Sequence, residues 1–336
     1  MIAHLPSCAL GLCAILLIFA GDVGHLDRAL RAATSIERMR KITQLRRSLL
    51  FVPGAEQKKL DRSREAAADL LVFDLEDSVA PDHKARAREQ VADHIRSVGS
   101  GGPAIAVRVN PPESPNFEAD LKAVVSAGAR TIMLPKSENP EGLEQASAAV
   151  ARLEAELEAP SGSVRLLALV ETAAGISRVE TLAGADSRID ALCFGNADFS
   201  LDMGLSEADP ATGVLLHARC RLAIAAAAAK VAPIDGVCLA VKDTAAFLEE
   251  GNLALRLGFE GKLCIHPAQA EIANSIFTPT ADQVETALRV IEGWEAAVAD
   301  GKGVFALDGK MIDLPLVDIH QRVIDRARLA VALGKD

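Results

Sequence analysis

Two carboxylates near the middle of the chain stand where a divalent cation could be held. Glu171 directly follows the apolar run at residues 166–170, and Asp198 comes four residues after the apolar run at residues 191–194. Such short runs predict buried strands, and neighbouring parallel strands end at the same edge of a sheet. Carboxylate oxygens at that edge suit a Mg²⁺ that keeps coordination positions open for a substrate. Helix capping is the alternative for either acid taken singly.

The elements that must position these acids form a regular series. From residue 48 onward, short apolar runs alternate with Ala-rich, charged segments of helical period, and eight strands are predicted: residues 48–52, 70–73, 105–109, 131–134, 166–170, 191–194, 234–239 and 262–265. This count predicts an α/β fold, a (β/α)₈ TIM barrel with a C-terminal helical tail extension. A doubly wound open sheet is the alternative, but Pro53-Gly54 after the first run is not part of a G-x-G-x-x-G turn.

Charged and polar residues follow nearly every predicted strand. Barrel enzymes place their chemistry at the carboxyl ends of the strands, so the clustering predicts an active site there. Capping explains one acid more easily than it explains the whole set, which comprises Asp74, Glu76, Asp77, Arg108, Lys136, Glu171, Asp198, Asp235 and His266.

Charge suggests a role for several of these residues. Glu76 and Asp77 are candidate acceptors for metal-bound waters. Arg108 offers a fork for a carboxylate or a developing enolate oxygen, the alternative being an ion pair with Asp74 or Glu76.

Lys136 and His266 each have two interpretations. Lys136 is a candidate contact for a substrate carboxylate or phosphate, or else a solvated loop lysine. His266 is either a base or a side chain that closes the barrel wall by bonding to backbone.

Composition excludes some classes of function. The 336 residues are 50% hydrophobic and 3% aromatic, and the net charge of −10 argues against nucleic acid as a general partner. The six cysteines form no CxxC pair, which favours a reducing, cytoplasmic location. The apolar run at residues 8–20 is short for a bilayer, so no membrane partner is expected. Met39 is the expected true start, with a cleaved or membrane-associated leader as the alternative.

Seven motifs carry a resemblance to a known family. In chain order they are RRSLLFVPG, FDLEDSVAPDHKARAR, VRVN, LPKSE, ALVETAAG, LCFGNADFSLDMG and GKLCIHPAQ. They resemble the citrate lyase β-subunit-like proteins of the HpcH/HpaI aldolase superfamily, from Arg46 to the C-terminus. The resemblance implies a barrel, usually trimeric, that uses Mg²⁺, or Mn²⁺ in its place, to make or break a carbon–carbon bond between an acyl-CoA thioester and a 2-oxo acid.

The resemblance also implies roles for individual residues. Glu171 and Asp198 would be metal ligands, Glu171 also facing the substrate, and Arg108 would hold the substrate and the enolate oxygen. Glu76 and Asp77 would surround the metal waters as a catalytic acidic pair. Backbone completes the pocket around Pro53, Gly54, Gly195, Asn196 and Ala197.

The C-terminal stretch DGKMIDLP resembles the G-x-M-[IV]-D-x-P tail of members that act on free coenzyme A thioesters. Asp313 would then be the base that moves the α-proton of the thioester in a neighbouring subunit's site. A turn acid in a surface tail is the alternative, and Asp318 lies close by in sequence. The expected division is a leader or mis-assigned start at 1–45, a barrel at 46–285 and a tail at 286–336.

Coenzyme A phosphates would need a local basic rim. Its candidates are Arg46, Arg47, Lys84, Arg86 and Arg88.

The leading hypothesis is a Mg²⁺-dependent carbon–carbon lyase of the oxo-acid type, acting on glyoxylate, pyruvate or oxaloacetate with an acyl-CoA. The alternatives are a citrate lyase β subunit that acts on an acyl carrier protein, a malyl-CoA thioesterase and, outside enzymes, a non-catalytic assembly subunit. A pyruvate-dependent sugar-acid aldolase is disfavoured by the LEDSV and GNADFS motifs.

Overall fold

The chain divides into two compact units. The computed structural model describes residues 42–98, 102–206 and 209–333. One unit is Arg46–Ile276, and the other contains the described residues from Phe277 onward. The expected leader at 1–45 lies almost wholly outside the described residues, so its nature stays a prediction.

The first unit contains a closed barrel in which each strand pairs with the next in sequence. Its parallel strands are β1 Ser48–Pro53, β2 Leu70–Asp74, β3 Ala104–Arg108, β4 Thr131–Leu134, β5 Arg165–Val170, β6 Ile189–Phe194, β7 Ala232–Asp235 and β8 Gly261–Cys264. Leu49 of β1 pairs with Leu263 of β8 and closes the ring. The predicted TIM barrel is confirmed, and the doubly wound sheet is excluded.

Helices follow the strands around the barrel. They are α1 Gln57–Ser63, α2 Lys84–Val98 after a 3₁₀ turn at Pro81–His83, α3 Phe117–Ala127, α4 Pro140–Glu156, α5 Ala173–Ser177, α6 Val179–Ala183, α7 Asn196–Asp202, α8 Gly213–Ala229, α9 Thr244–Arg256 and α10 Pro267–Phe277. The longer ones begin at ordinary signals: Asn139 caps α4 by accepting from the Gly142 N–H, and Pro140 occupies its first turn.

Small and branched aliphatic side chains fill the barrel interior. Leu49, Val72, Leu167, Ile234 and Leu263 belong to one buried cluster. Each side chain of this kind contributes about 1.5–3 kcal/mol when fully buried. This packing explains how a chain with so few aromatic residues builds a stable core, and it leaves the strand ends free to carry polar groups.

Strand β7 was placed wrongly from the sequence. The apolar run suggested residues 234–239, but the strand is Ala232–Asp235. The side chain of Asn196 takes up the backbone groups of Val237, accepting from its N–H at 2.8 Å and donating to its carbonyl at 2.9 Å. Those groups are therefore not available to extend the ladder, and Val237 and Leu239 line a cavity instead.

The second unit is a helical hairpin with a small β-ribbon between its helices. Its elements are α11 Ala281–Ala299, β9 Val304–Leu307, β10 Lys310–Asp313 and α12 Leu314–Leu333. A capping box of Thr280 and Gln283 starts α11. Asp308 and Gly309, with φ values of 49° and 74°, make the two-residue turn of the ribbon. The expected boundary at 285/286 falls inside α11.

Among the described residues, no helix is both long enough and apolar enough to cross a membrane.

Candidate active site

A cavity of about 740 Å³ opens at the carboxyl ends of the barrel strands. Eight of the residues to which the resemblance assigns roles line it, namely Pro53, Asp77, Arg108, Glu171, Gly195, Asn196, Ala197 and Asp198. Volumes of a few hundred Å³ or more are typical of small-molecule sites. The barrel thus brings together the residues that the motifs indicated.

Arg108 is locked to Asp74. The two residues end strands β3 and β2 and are partners in register. The guanidinium donates from Nε at 2.7 Å and from Nη2 at 2.8 Å to the two oxygens of Asp74, and it lies 5.0 Å from the centre of the Phe51 ring. Burial raises the pKa of Asp74, but the hydrogen bonds and charge of Arg108 outweigh burial and hold that pKa below its usual value. The ion pair with Asp74 is present and leaves Nη1 for other partners, so the role of Arg108 towards a substrate stays a prediction.

Glu76 and Asp77 sit beside that remaining nitrogen. Arg108 Nη1 lies 3.0 Å from Glu76 Oε2 and 3.6 Å from Asp77 Oδ2. Glu76 is only 3% exposed, whereas Asp77 is exposed and lines the cavity. Burial raises the pKa of Glu76 and the charge of Asp77 adds to that effect, while Arg108 and Lys136 act against it. The turn therefore presents one buried and one accessible carboxylate.

Glu171 and Asp198 lie at the ends of adjacent strands. Strands β5 and β6 are paired up to Val170 and Phe194, and the Gly195 N–H donates to the Val170 carbonyl at 2.9 Å. A Cβ on Gly195 would lie 2.3 Å from Glu171 Cβ, so only glycine fits there. Glu171 is 2% exposed and Asp198 is half-buried.

The environment of Glu171 fits a cation. Burial raises its pKa to about 8; the charges of Glu76 and Asp198 add to this, whereas the Lys136 N–H and Arg108 oppose it. A buried carboxyl beside other acids is stabilised by a bound cation, and two hard oxygen donors on adjacent strands suit Mg²⁺. In the described ranges, no group of three His, Cys, Asp or Glu side chains could hold a metal ion. Protein would thus supply only part of the coordination sphere, and water or substrate the rest.

Lys136 bridges two of the acids. Its backbone N–H donates to Glu171 Oε1 at 2.7 Å, and its ammonium donates to Glu76 Oε1 at 2.7 Å. The residue has a φ of 49°, which a side chain of L configuration rarely adopts, and this turn aims both groups at the acids. A substrate contact through the exposed ammonium stays a prediction.

The other predicted positions differ in their exposure. Gly54 is buried behind the cavity wall, where its N–H donates to the Asp74 carbonyl and a Cβ would lie 2.6 Å from that oxygen. His266 lines the cavity and accepts the Ala268 N–H on Nδ1 at 3.2 Å, which is a capping contact at the start of α10.

Asp235 is a structural residue. It is 2% exposed and accepts from Arg219, at 2.9 Å and 3.0 Å, and from Lys262 at 2.7 Å. This buried charge cluster joins β7 to β8 and α8, so the carboxylate is fully engaged in the barrel wall.

Two candidates for a basic rim lie at the wrong end of the barrel. Arg46 pairs with Asp190 near the start of β6, and Arg47 pairs with Asp69 at 2.6 Å just before β2. Both therefore hold the amino-terminal edge together. Both residues precede the predicted strand at residues 48–52, so their position in the sequence already indicated the edge opposite the cavity.

The three other candidates for the basic rim lie on α2 and differ in their contacts. Lys84 and Arg88 bond inside the barrel unit, and Arg86 is exposed. Lys59 and Arg62 of α1, which the sequence did not single out, line the cavity. The sequence feature that could have indicated them is their place in the helix that follows the first strand, close to its carboxyl end.

Asp313 belongs to the second unit. It is the last residue of β10 and is exposed. Its role in catalysis stays a prediction.

The fold and the cavity define a (β/α)₈ barrel enzyme with an acidic site at its mouth. Residues 47–267 match the family model for HpcH/HpaI aldolase/citrate lyase. The chain is 36% identical over 288 residues to citrate lyase subunit beta of Escherichia coli strain K12, an alignment that covers 86% of this chain and 95% of that protein.

Two relatives carry other activities in their names. The (3S)-malyl-CoA thioesterase of Cereibacter sphaeroides strain ATCC 17029 is 34% identical over 285 residues, with 84% of this chain and 95% of that protein covered. The L-malyl-CoA/beta-methylmalyl-CoA lyase of Rhodobacter capsulatus is 30% identical over 310 residues, with 85% and 96% covered.

A solved structure shows the same architecture with ligands. CitE of Mycobacterium tuberculosis, in complex with magnesium, acetoacetate and coenzyme A, superimposes with a TM-score of 0.66 at 28% identity and covers 84% of this chain and 97% of that one. The chain belongs to the HpcH/HpaI aldolase/citrate lyase family. The predicted family and the predicted class of carbon–carbon lyase are confirmed.

Proposed function

We propose that the protein is a Mg²⁺-dependent lyase that cleaves or forms a carbon–carbon bond between an acyl-CoA and a 2-oxo acid such as glyoxylate, pyruvate or oxaloacetate. The observation that carries the proposal is the meeting of Arg108, Glu171 and Asp198 in one cavity. Two relatives act on malyl-CoA by name, and the Mycobacterium tuberculosis neighbour was solved with magnesium and coenzyme A, which supports this ligand set.

The charge of each residue in the site suggests its role. Glu171 and Asp198 would hold the metal ion, whose Lewis acidity polarises an oxygen of the small acid when it is bound. Glu76 and Asp77 would accept hydrogen bonds from water around that position. Pro53, Gly195 and Ala197 line the cavity beside these groups.

Arg108 stabilises the charge that develops on the thioester. In the cleavage direction the hydroxyl of the hydroxyacyl group would pass its proton to the exposed Asp77 carboxylate as the carbonyl of the oxo acid forms, and the electron pair of the broken bond would pass to the thioester enolate. The N–H groups of Arg108 that Asp74 does not use can donate to the enolate oxygen, an effect worth a few kcal/mol in similar sites. The α-carbon then takes up a proton to give the acyl-CoA.

That last proton requires an acid, and we assign it to Asp313. Its exposed position at the end of β10 and the DGKMIDLP stretch support the assignment. The tail of a second copy in a homotrimer would deliver it to the barrel mouth.

The alternatives differ in the group that leaves. A citrate lyase β subunit would require an acyl carrier protein thioester, and a thioesterase would release free thiol. The Escherichia coli and Cereibacter sphaeroides relatives keep both alternatives open to test.

The test is an assay of the full chain with (S)-malyl-CoA, citramalyl-CoA and citryl-CoA, in Mg²⁺ and in EDTA. Release of an oxo acid without free thiol, dependent on Mg²⁺, is expected. Arg108→Lys should lower kcat roughly 100- to 1,000-fold because it removes the fork to Asp74 and the donors beside the enolate. Arg96→Lys, at an exposed position on α2, is the matched control, and its kcat should be unchanged.

Release of free coenzyme A thiol together with the intact hydroxy acid would instead identify a thioesterase. Activity only on a carrier-protein thioester would identify a citrate lyase β subunit. Full activity of Arg108→Lys would remove this residue from the mechanism.

A further inference from the structure

Lys84 makes internal contacts that a solvated helix lysine does not make. It is the first residue of α2 and half-buried, and its ammonium donates to the carbonyls of Leu75 at 2.8 Å and Glu76 at 2.6 Å. An ammonium has three donors, so two of them serve the turn that follows β2. This is the turn that carries Glu76 and Asp77.

The same turn is held from the strand side by Asp74. Its two oxygens accept the N–H groups of Glu76 at 2.9 Å and Ser78 at 3.0 Å. Asp74 thus fixes the amides of the turn while Lys84 fixes its carbonyls. Asp74 also binds the guanidinium of Arg108. The hydrogen bonds from Asp74 and Lys84 therefore fix the position of the turn relative to Arg108.

A second support comes through Asn110. Its side chain donates to the Leu75 carbonyl at 3.0 Å and to Asp120 at 2.6 Å, and Asp120 has no exposed surface. Arg88 donates to the other oxygen of Asp120 at 2.7 Å. Lys84 and Arg88 are four residues apart and share one face of α2, so this helix face is committed to holding the turn.

We propose that Lys84 is a positioning residue for the site: by holding the carbonyls of Leu75 and Glu76, it sets Glu76 and Asp77 at the barrel mouth. The kinetic consequence rests on the proposed lyase function. Glu76 contacts both Arg108 and Lys136, so a shift of the turn moves the groups that face the substrate. A misplacement of about 1 Å lowers a rate by roughly 100-fold in comparable cases.

The competing role for Lys84 is a contact to a coenzyme A phosphate. The two roles predict different kinetics. A phosphate contact acts on thioester binding and therefore on KM, whereas a positioning residue acts on kcat. If Lys84 contacts the 3′-phosphate of coenzyme A, the effect of its substitution on KM should disappear with a dephospho-CoA thioester. If Lys84 is a positioning residue, the effect on kcat should be the same with either thioester.

The experiment compares Lys84→Met with Arg96→Gln, an exposed position twelve residues along the same helix whose guanidinium bonds, among the described residues, only to exposed Asp93. In the full-length protein, Lys84→Met should lower kcat for the thioester that the wild type cleaves roughly 10- to 100-fold, with KM within about threefold. Hydrogen exchange followed by mass spectrometry should show faster exchange, by about tenfold or more, at the amides of residues 76–79. Arg96→Gln should change neither quantity.

Two results would overturn the proposal. One is a rise in KM at constant kcat that disappears with the dephospho-CoA thioester; the other is unchanged exchange at residues 76–79. If the wild type cleaves no thioester, the lyase function fails, and the exchange measurement still decides whether Lys84 holds the turn. If Lys84→Met does not fold, Lys84→Gln keeps a shorter donor, and a change in exchange confined to residues 76–79 is required of it.

Discussion

Burial raises the pKa of the Glu171 carboxyl, so a bound cation would stabilise its ionised form. With a pKa raised to about 8, mainly by burial, it is largely protonated at neutral pH in the metal-free protein. A carboxyl with a raised pKa lowers the stability of the metal-free fold as the pH rises from the ordinary value of 4.5 towards 8, because the unfolded chain ionises first. A bound cation removes that penalty.

Metal binding should therefore release a proton. Below pH 8, Mg²⁺ must displace the proton of Glu171, so its Kd should fall by up to about tenfold for each pH unit between 6 and 7.5 and level off above the pKa. Titration calorimetry at several pH values, in buffers of different ionisation enthalpy, measures both the Kd and the number of protons released.

Glu171→Gln should bind Mg²⁺ weakly at every pH. Glu89→Gln, which changes an exposed glutamate on α2, should keep the wild-type pH dependence. A Kd that stays constant from pH 6 to 8, with no proton released, would remove Glu171 from the set of metal ligands.

At the scale of elements, the segment after β7 is fastened to the helix that carries Asp198. Asn196 starts α7 and bonds to both backbone groups of Val237. A Cβ on Gly236 would lie 2.3 Å from Asn196 Oδ1, so this contact requires glycine. On the other side, the Gln269 amide donates to the Cys238 carbonyl at 2.9 Å. The cavity wall at Val237 and Leu239 is thereby fixed.

Gly236→Ala should displace Asn196 and loosen that wall. A loss of about 1–3 kcal/mol in the free energy of unfolding is expected from the added methyl, and about 1–2 kcal/mol from Asn196→Ala through two lost hydrogen bonds. Because the methyl collides with the same amide, the double variant should lose about 1 kcal/mol less than the sum. Urea denaturation of the four proteins measures this coupling.

Additive losses would show that Gly236 is constrained by something other than Asn196. Gly184→Ala, at a position where a Cβ meets no atom within 4 Å, is the control for the general effect of the substitution.

How much of this could be predicted from the sequence depends on where each contact originates. Seven strands were placed within a residue or two because apolar runs and strand burial coincide, and Glu171 was found because it directly follows such a run. Strand β7 was misplaced because its end is set by the Asn196 side chain, 41 residues away in the chain. Lys84 was taken for a rim residue because its partners are carbonyls, which leave no trace in the pattern of side chains. Local order was therefore predictable, and contacts between distant backbone and side chains were not.

At the scale of the whole molecule, Asp313 of the C-terminal unit could act in the barrel of its own chain or in the barrel of another copy. Asp313 is exposed on the β-ribbon of the second unit, and our proposal places it in the site of another copy. Trimers with cyclic symmetry would then contain three equivalent sites, each built from two chains. Such an arrangement makes catalysis depend on assembly, since a lone chain would lack its proton donor.

Mixing two inactive variants decides between the arrangements. Glu171→Gln removes a metal ligand from the barrel, and Asp313→Asn removes the proton donor from the tail. If tails act between copies, random trimers from equal amounts of both variants should regain roughly a quarter of the wild-type activity, because half of the barrels are intact and half of the tails that reach them are intact. If each tail serves its own barrel, every site keeps one defect and the mixture stays inactive. Co-expression with two affinity tags, followed by isolation of mixed oligomers and the thioester assay, separates these outcomes. Because isolation removes the inactive trimers of a single variant, one site in three is intact and the expected activity rises to about a third of the wild-type value. An Asp313→Asn variant that is active by itself would instead assign the proton to another group, for which Asp318 on α12, five residues further along the chain, is a candidate.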